Sequence, residues 1–349
     1  RINASIITEC PPKGFKQVPH FVICPQMFSN LPELYIAFQM EQTVNSRWFT
    51  EKYFAILRDA YAIFDYSITN IGFLQKHGFG MQQIYYMPIN YLKNYHSQND
   101  QQEKKYDVIF YGDTNNARRQ SFINKIKEHY SVKIINNLFG AELLNEVRKA
   151  KVLINIHYYE DALLETTRIN ECLSLNSCII VSEKSKDFAE NKYLENVVDF
   201  VDVDDAAAML ERINYWLQDD ARRNKKLQAN RDFLDDKANS FEYYFFRFLL
   251  SVGSIDFDEF YCLAGGNIKF QGNKICLSLP ESTERKTAFE QDNKFGFEYF
   301  PGLRHPIGWI GCGLSYKFIM KKAMEQKLPQ LTVCEDDVLF PDNFQERFL

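Results

Sequence analysis

The feature that most constrains this chain is an alternation: short apolar runs take turns with longer segments whose apolar residues recur at helical spacing. "HFVICPQ", "LYIAFQME", "YAIFDYSIT" and "QIYYMPI" read as strands, and "RWFTEKYFAILRDA" and "NIGFLQKHG" as helices. A polar stretch without apolar period, "KNYHSQNDQQEKK" (93–105), reads as a linker. After it come strands "YDVIFYG", "VKIIN", "KVLINIHY", "CIIVSE" and "VVDFVDV", with helices "ARRQSFINKIKEHY", "GAELLNEVRKA", "ETTRINECLSLN" and "DAAAMLERINYWLQ" between or after them. From about Asn273 a third series begins: strand "KICLSL", helix "ESTERKTAFEQ", strand "FEYFPG", helix "WIGCGLSYKFIMKKAMEQ" and strand "QLTVCEDDV". Strands separated by helices of this length form parallel βαβ units, so the expected class is α/β with open parallel sheets.

The alternation divides the chain into an amino-terminal Rossmann-like lobe (1–95), a second Rossmann-like lobe (105–255) closed by a helical tail, and a partial α/β domain (273–349). The first two lobes are expected to face one another across a crevice, and ligands of open α/β sheets bind beyond the carboxyl ends of the strands. The chain opens "RINASIITEC", with neither initiator Met nor signal segment, and stops at "ERFL" directly after a candidate site; a fragment of a longer polypeptide is expected.

Composition removes several classes. A net charge of -5 gives no basic surplus for nucleic acid. No stretch approaches the ~20 apolar residues of a transmembrane helix. The eight cysteines form no C-x-x-C pair and most sit inside apolar runs, as reduced thiols of a cytoplasmic protein do. Peripheral contact at the inner membrane face is left open.

Two stretches of the second lobe carry candidate chemistry. In "VIFYGDTNNARRQSF" a strand gives way to a small polar loop (Gly112, Asp113, Thr114, Asn115) and then to a helix with Arg118 and Arg119 in its first turn. Free amides at a helix start, beside cations that oppose the macrodipole there, make an anion seat; the plainer alternative is a capped helix with solvated arginines. One glycine instead of G-x-G-x-x-G, and the absence of G-K-[ST], count against dinucleotide and P-loop chemistry and against an epimerase or dehydrogenase. In "LINIHYYEDALLETTRINECLSLN" polar Asn155 and His157 end a strand, and Glu165, Arg168 and Glu171 follow at spacings of three. By itself that spacing reads equally as a salt-bridged helix face.

This last stretch resembles the nucleotide-sugar half of glycosyltransferases with the two-lobed GT-B fold (group 1-like). The resemblance implies that Glu171 binds the donor ribose, that Arg168 is the Arg preceding it, and that Glu165 stands nearest to the family's sugar-contacting Glu. The donor, a UDP-sugar by expectation, would then leave its diphosphate on the Gly112–Asn116 loop and on Arg118 or Arg119, without a metal. In the first lobe Glu41 ends a strand, where a carboxylate serves either as general base for an acceptor hydroxyl or as cap of the next helix.

At the far end an apolar strand finishes in Glu335, Asp336 and Asp337, like charges that crowd unless a cation neutralises them. Hard oxygen ligands suit Mg²⁺ or Mn²⁺, and nearby lysines (Lys317, Lys321, Lys322) are the other source of charge. "KICLSLPESTERK", "GCGLSYKFIM" and "LTVCEDDVLF", in this order, resemble glycosyltransferase family 25, the lipopolysaccharide and collagen galactosyltransferase group. That resemblance implies a GT-A-like domain in which Arg285 contacts the nucleotide and the three acids hold the metal; where the family has His after the Ser of the second motif, this chain has Tyr316.

Together these readings lead to a hexosyltransferase using a nucleotide sugar and a glycan or lipid-linked glycan acceptor, in lipopolysaccharide, cell-surface polysaccharide or glycoprotein glycan synthesis. The rival from another class is a non-catalytic glycan-binding or scaffolding protein built on a transferase fold.

Overall fold

A computed structural model describes residues 4–92, 102–236, 241–341 and 343–348. The expected class is what it shows: α/β, with three sheets whose strand pairs are all parallel. Most of the expected linker, residues 93–101, lies outside the described residues, and Gln102–Lys105 form neither helix nor strand. The chain divides into two compact units, Ile89–Asn239 and the two remaining pieces, Arg1–Pro88 with Ser240–Leu349.

The continuous unit holds β5 and its four neighbours, numbered in chain order after four strands of the other unit. They are β5 (Tyr106–Tyr111), β6 (Val132–Ile135), β7 (Ala150–Asn155), β8 (Ile179–Glu183) and β9 (Asp199–Val201), in the order β6-β5-β7-β8-β9. Successive residues point to opposite faces of a sheet. Ile109, Leu153 and Ile180 therefore pack on helices Gly140–Arg148 and Thr166–Leu175. Val108, Phe110, Val152, Ile154 and Val181 pack on helices Ala117–Lys127 and Ala206–Leu217. Strands buried on both faces explain why their sequences are continuously apolar instead of alternating.

The discontinuous unit holds two sheets. The first runs β1 (His20–Ile23), β2 (Tyr35–Gln39), β3 (Ala62–Asp65), β4 (Ile84–Tyr86) in sequential order. The second is β11 (Glu298–Pro301), β10 (Lys274–Ser278), β12 (Thr332–Glu335), with β10 in the middle. Helix Phe241–Ser251, expected to close the second lobe within 105–255, belongs to this unit. Its Phe248 packs with Phe64 and Tyr85 of the first sheet, and its Tyr243 and Leu250 pack with Ile275, Leu277 and Phe300 of the second.

The same helix carries Arg247, which is buried and grips Glu281 bidentately at 2.7 and 2.9 Å. Glu281 also accepts from the Tyr86 amide at 2.9 Å and lies 3.4 Å from Arg304, which donates to the Ile84 and Met81 carbonyls. Burial alone would raise the Glu281 carboxyl, but Arg247 and Arg304 hold it down to about 2. A paired, fully hydrogen-bonded carboxylate thus joins the carboxyl-terminal sheet to the first one.

Candidate functional site

In the order β6-β5-β7-β8-β9 the chain reverses direction between β5 and β7, and a crevice opens beyond their carboxyl ends at such a switch point. The loop after β5 and the segment after β7 are the stretches that carried candidate chemistry. Gly112 has φ 129°, a region that favours glycine, and a Cβ there would lie 2.8 Å from Arg168 Nη2 and 3.8 Å from Arg119 Nη1. Two guanidinium groups therefore converge on this backbone.

The consecutive arginines part company. Arg119 is 4% exposed; its Nε donates to the Ile156 carbonyl and its Nη1 to the Asp113 carbonyl, both at 2.9 Å. Burial, with the charge of Arg168 beside it, lowers its guanidinium to about 10. Arg118 instead turns to the end of β8, gripping buried Glu183 with both terminal nitrogens, pairing through Nε with Asp204 at 2.7 Å and donating to the His157 carbonyl at 2.8 Å. Its two terminal nitrogens bond protein acceptors, so Arg118 braces the loop against the end of β8. The helix is capped by Asn116, whose side chain accepts from the Arg119 amide at 3.0 Å. Asp113 accepts from the Asn115 amide at 2.7 Å, and Thr114 Oγ1 lies 3.3 Å from the Asn136 amide, which fixes the loop.

Arg168 donates to Asn155 Oδ1 at 2.6 Å and lies over the rings of Tyr111 and Phe110 at 5.1 and 5.7 Å. Its Nε is buried with no hydrogen-bond partner among the described residues. Glu165 holds His157 Nδ1 at 2.7 Å and Asn155 Nδ2 at 2.9 Å, with Arg119 at 3.6 Å. The other nitrogen of His157 faces the Lys184 carbonyl at 3.0 Å. Both partners accept only, so both ring nitrogens donate and the imidazole is cationic. Burial opposes that charge, but Glu165 and Glu183 outweigh it and raise the His157 pKa. Glu165 is correspondingly lowered, the His157 charge overcoming burial. Glu171 accepts from Tyr111 Oη at 3.1 Å. The spacing of Glu165, Arg168 and Glu171 thus serves contacts to other elements, and not the salt-bridged helix face that spacing alone allows. Held in common are three cations, Arg119, Arg168 and His157, with Glu165 hydrogen-bonded to the imidazole and 3.6 Å from Arg119, and Glu183 on the far side accepting from the His157 amide at 3.0 Å.

Glu41 follows β2. Its carboxylate accepts from Gln26 Nε2 at 2.9 Å, and burial raises its pKa against the opposing pull of Gln26 and Arg47. Capping of the next helix falls to Thr50, which accepts from the Tyr53 amide. The Glu41 backbone is clamped by Gln39, and by Asn70 at 3.0 Å, both of which also bond buried Asp65.

At the second switch point, between β10 and β12, Glu335 parts from Asp336 and Asp337. Glu335 lies on the strand, 3.4 Å from Tyr316 Oη and 3.7 Å from Cys312 Sγ. Asp336 is buried; its Oδ2 accepts from Ser278 Oγ at 2.8 Å and its Oδ1 from Arg285 Nη2 at 2.5 Å. Asp337 meets the same Nη2 at 3.0 Å. No group of three or more His, Cys, Asp or Glu side chains is gathered to hold a metal ion among the described residues. The strand ends at Glu335, whose side chain turns to Tyr316 and Cys312, while Asp336 and Asp337 lie on the turn that follows and share Arg285. The counter-charge is Arg285, whose expected contact was the nucleotide. Gly311 and Ser315 of the second family-25 motif serve packing: Ser315 bridges the Leu303 amide and the Gly311 carbonyl, and a Cβ on Gly311 would meet the Leu303 carbonyl at 3.0 Å.

Asn155, noted from sequence as a polar strand end, completes these arrangements with Tyr111, Glu183, Asp204 and Ser278, which were not singled out from sequence. A signal was present for two of them: "CIIVSE" and "VDVDD" end strands in acids, just as "CEDD" does.

Residues 307–348 match glycosyltransferase family 25 (LPS biosynthesis protein), which supports sugar transfer as the general chemistry. No curated protein matches the chain. Among solved structures it is similar to TarM at 10% identity, over 66% of this chain and 54% of that one, with a TM-score of 0.45. It is also similar to "T4 phage BGT in complex with UDP and Mn2+", at 15% identity over 58% of this chain and 68% of that one, TM-score 0.39. CalG4, the calicheamicin glycosyltransferase, is similar at 10% identity over 58% and 64%, TM-score 0.29. The chain spans about half the length of TarM. No helix among the described residues is long and apolar enough to cross a membrane.

Proposed function

We propose that this chain is a hexosyltransferase that passes a sugar from a UDP-sugar to a hydroxyl of a glycan or lipid-linked glycan, in lipopolysaccharide, cell-surface polysaccharide or glycoprotein glycan synthesis. Under this reading the two larger sheets are the Rossmann-like halves of a GT-B enzyme that works in the cytoplasm, peripheral to the inner membrane face. One observation carries it: Arg119 and Arg168 converge on the Gly112 backbone at the switch point, and Arg168 Nε is left without a partner among the described residues.

The leaving diphosphate gathers negative charge as the glycosidic bond breaks. Fixed guanidinium groups and loop amides near Asp113–Asn116 stabilise that charge without reorganising, so no metal is required there. Glu171 receives the ribose, steered by Tyr111, while Glu165 orients Arg119 and keeps His157 charged. Glu41, its proton affinity raised by burial, takes the acceptor proton. In the carboxyl-terminal segment the acids are not arranged around an ion, and no step is routed through one.

The test is thermal unfolding with UDP-sugars in the presence of a chelator. Ligand at a hundredfold excess over its dissociation constant stabilises by about 2.7 kcal/mol, hence a rise of roughly 5–10 °C. Arg168→Ala and Glu171→Ala should each remove most of that rise. A shift that survives both substitutions rejects the assignment.

A further inference from the structure

We infer that Arg285 stands where a divalent cation would stand, and that the carboxyl-terminal segment is a metal-independent module whose acidic cluster is neutralised from within. Three observations carry this, none of which involves the donor site described above.

First, both oxygens of Asp336 are used. Ser278 donates to one at 2.8 Å and Arg285 to the other at 2.5 Å, and the carboxylate is buried. Secondly, the same Arg285 nitrogen reaches Asp337 at 3.0 Å, so one guanidinium bridges two carboxylates as an ion would. Glu335 is directed elsewhere, to Tyr316 and Cys312. Thirdly, the bridging arginine stands on an anchored helix. Helix Thr283–Asp292 begins two residues after Glu281, which is fixed by Arg247, Arg304 and the Tyr86 amide. Thr283 itself donates to Gln75 at 3.1 Å. An ion entering between Asp336 and Asp337 would have to displace a cation already held in place from behind.

The experiment is titration of the full chain with Mn²⁺ alone, read from the electron paramagnetic resonance of the free ion. The natural chain should show no site that depends on Asp336. Arg285→Gln should create one, tighter by roughly tenfold or more, because a unit charge some 3–4 Å from the ion is removed. Adding Asp336→Asn to Arg285→Gln should abolish it, and Arg285→Lys, which keeps the charge, should bind no more than the natural chain. Far-ultraviolet circular dichroism checks that each variant is folded. Two outcomes would overturn the inference: an Asp336-dependent Mn²⁺ site with Arg285 in place, or no gain in folded Arg285→Gln. Neither outcome bears on metal-free donor binding by Arg168 and Glu171.

Discussion

His157 and Glu165 titrate in opposite senses, and the signs give a pH window. The raised pKa of His157 means that its contribution is complete below the unfolded value of about 6.5 and is lost as pH rises through the folded value. The lowered pKa of Glu165 means that its contribution is complete above about 4.3 and is lost as pH falls through the folded value. The pair is therefore worth most between about pH 4.3 and 6.5, and stability should decline on the alkaline side. Urea unfolding across pH should show that decline in the natural chain and a flatter alkaline limb in His157→Gln. Glu165→Gln removes the carboxylate hydrogen-bonded to the buried imidazole and should cost about 3 kcal/mol. Gly112→Ala puts a side chain at φ 129° against Arg168; a loss of about 1–3 kcal/mol is expected, with donor affinity falling as Arg168 is pushed aside. At this scale the sequence was half legible. It singled out the loop, Arg168 and Glu171 as candidates, but adjacent Arg118 and Arg119 leave a helix about 100° apart, and only the fold decides which meets Glu183. The acids at 335–337 pose the same difficulty, since their partner Arg285 stands some fifty residues earlier in the chain.

Helix Phe241–Ser251 shows what contiguity in sequence hides. Its segment "FEYYFFRFLLS" is apolar almost all round, the mark of a helix covered on more than one side. Yet it follows the second lobe directly, and its partners Phe64, Tyr85 and Glu281 are far away in sequence. The strands and helices themselves were legible because each buried run is long, apolar and bounded by polar turns; the side on which this helix packs was not, because its partners come from elsewhere in the chain. The element-scale prediction concerns the ion pair. Glu281→Gln leaves Arg247 buried and without its carboxylate, and should destabilise the discontinuous unit by about 3–5 kcal/mol. Thr283→Val, which removes only the hydrogen bond to Gln75, should cost about 1 kcal/mol. Denaturant unfolding of the two variants separates an ionic junction from a generally sensitive surface: similar losses for both would contradict it.

At the scale of the molecule, one unit is a single stretch, Ile89–Asn239, and the other is completed from both sides of it. Calorimetry should resolve two transitions, of which a UDP-sugar raises one. A chain ended at residue 255 should keep that ligand-sensitive transition and lose the other, since Arg247 is then deprived of Glu281, and Tyr243 and Leu250 of Ile275, Leu277 and Phe300. Retention of both transitions in the shortened chain would show that the carboxyl-terminal sheet is dispensable. The interrupted unit also sets a timetable on the ribosome. β1 to β4 emerge first, but Phe248 and Arg304, which cover and staple them, arrive only after the whole of the intervening unit has been synthesised. At roughly 5–20 residues per second the nascent amino-terminal sheet waits on the order of ten seconds with Phe64 and Tyr85 uncovered, which makes it the part of this protein most in need of a chaperone.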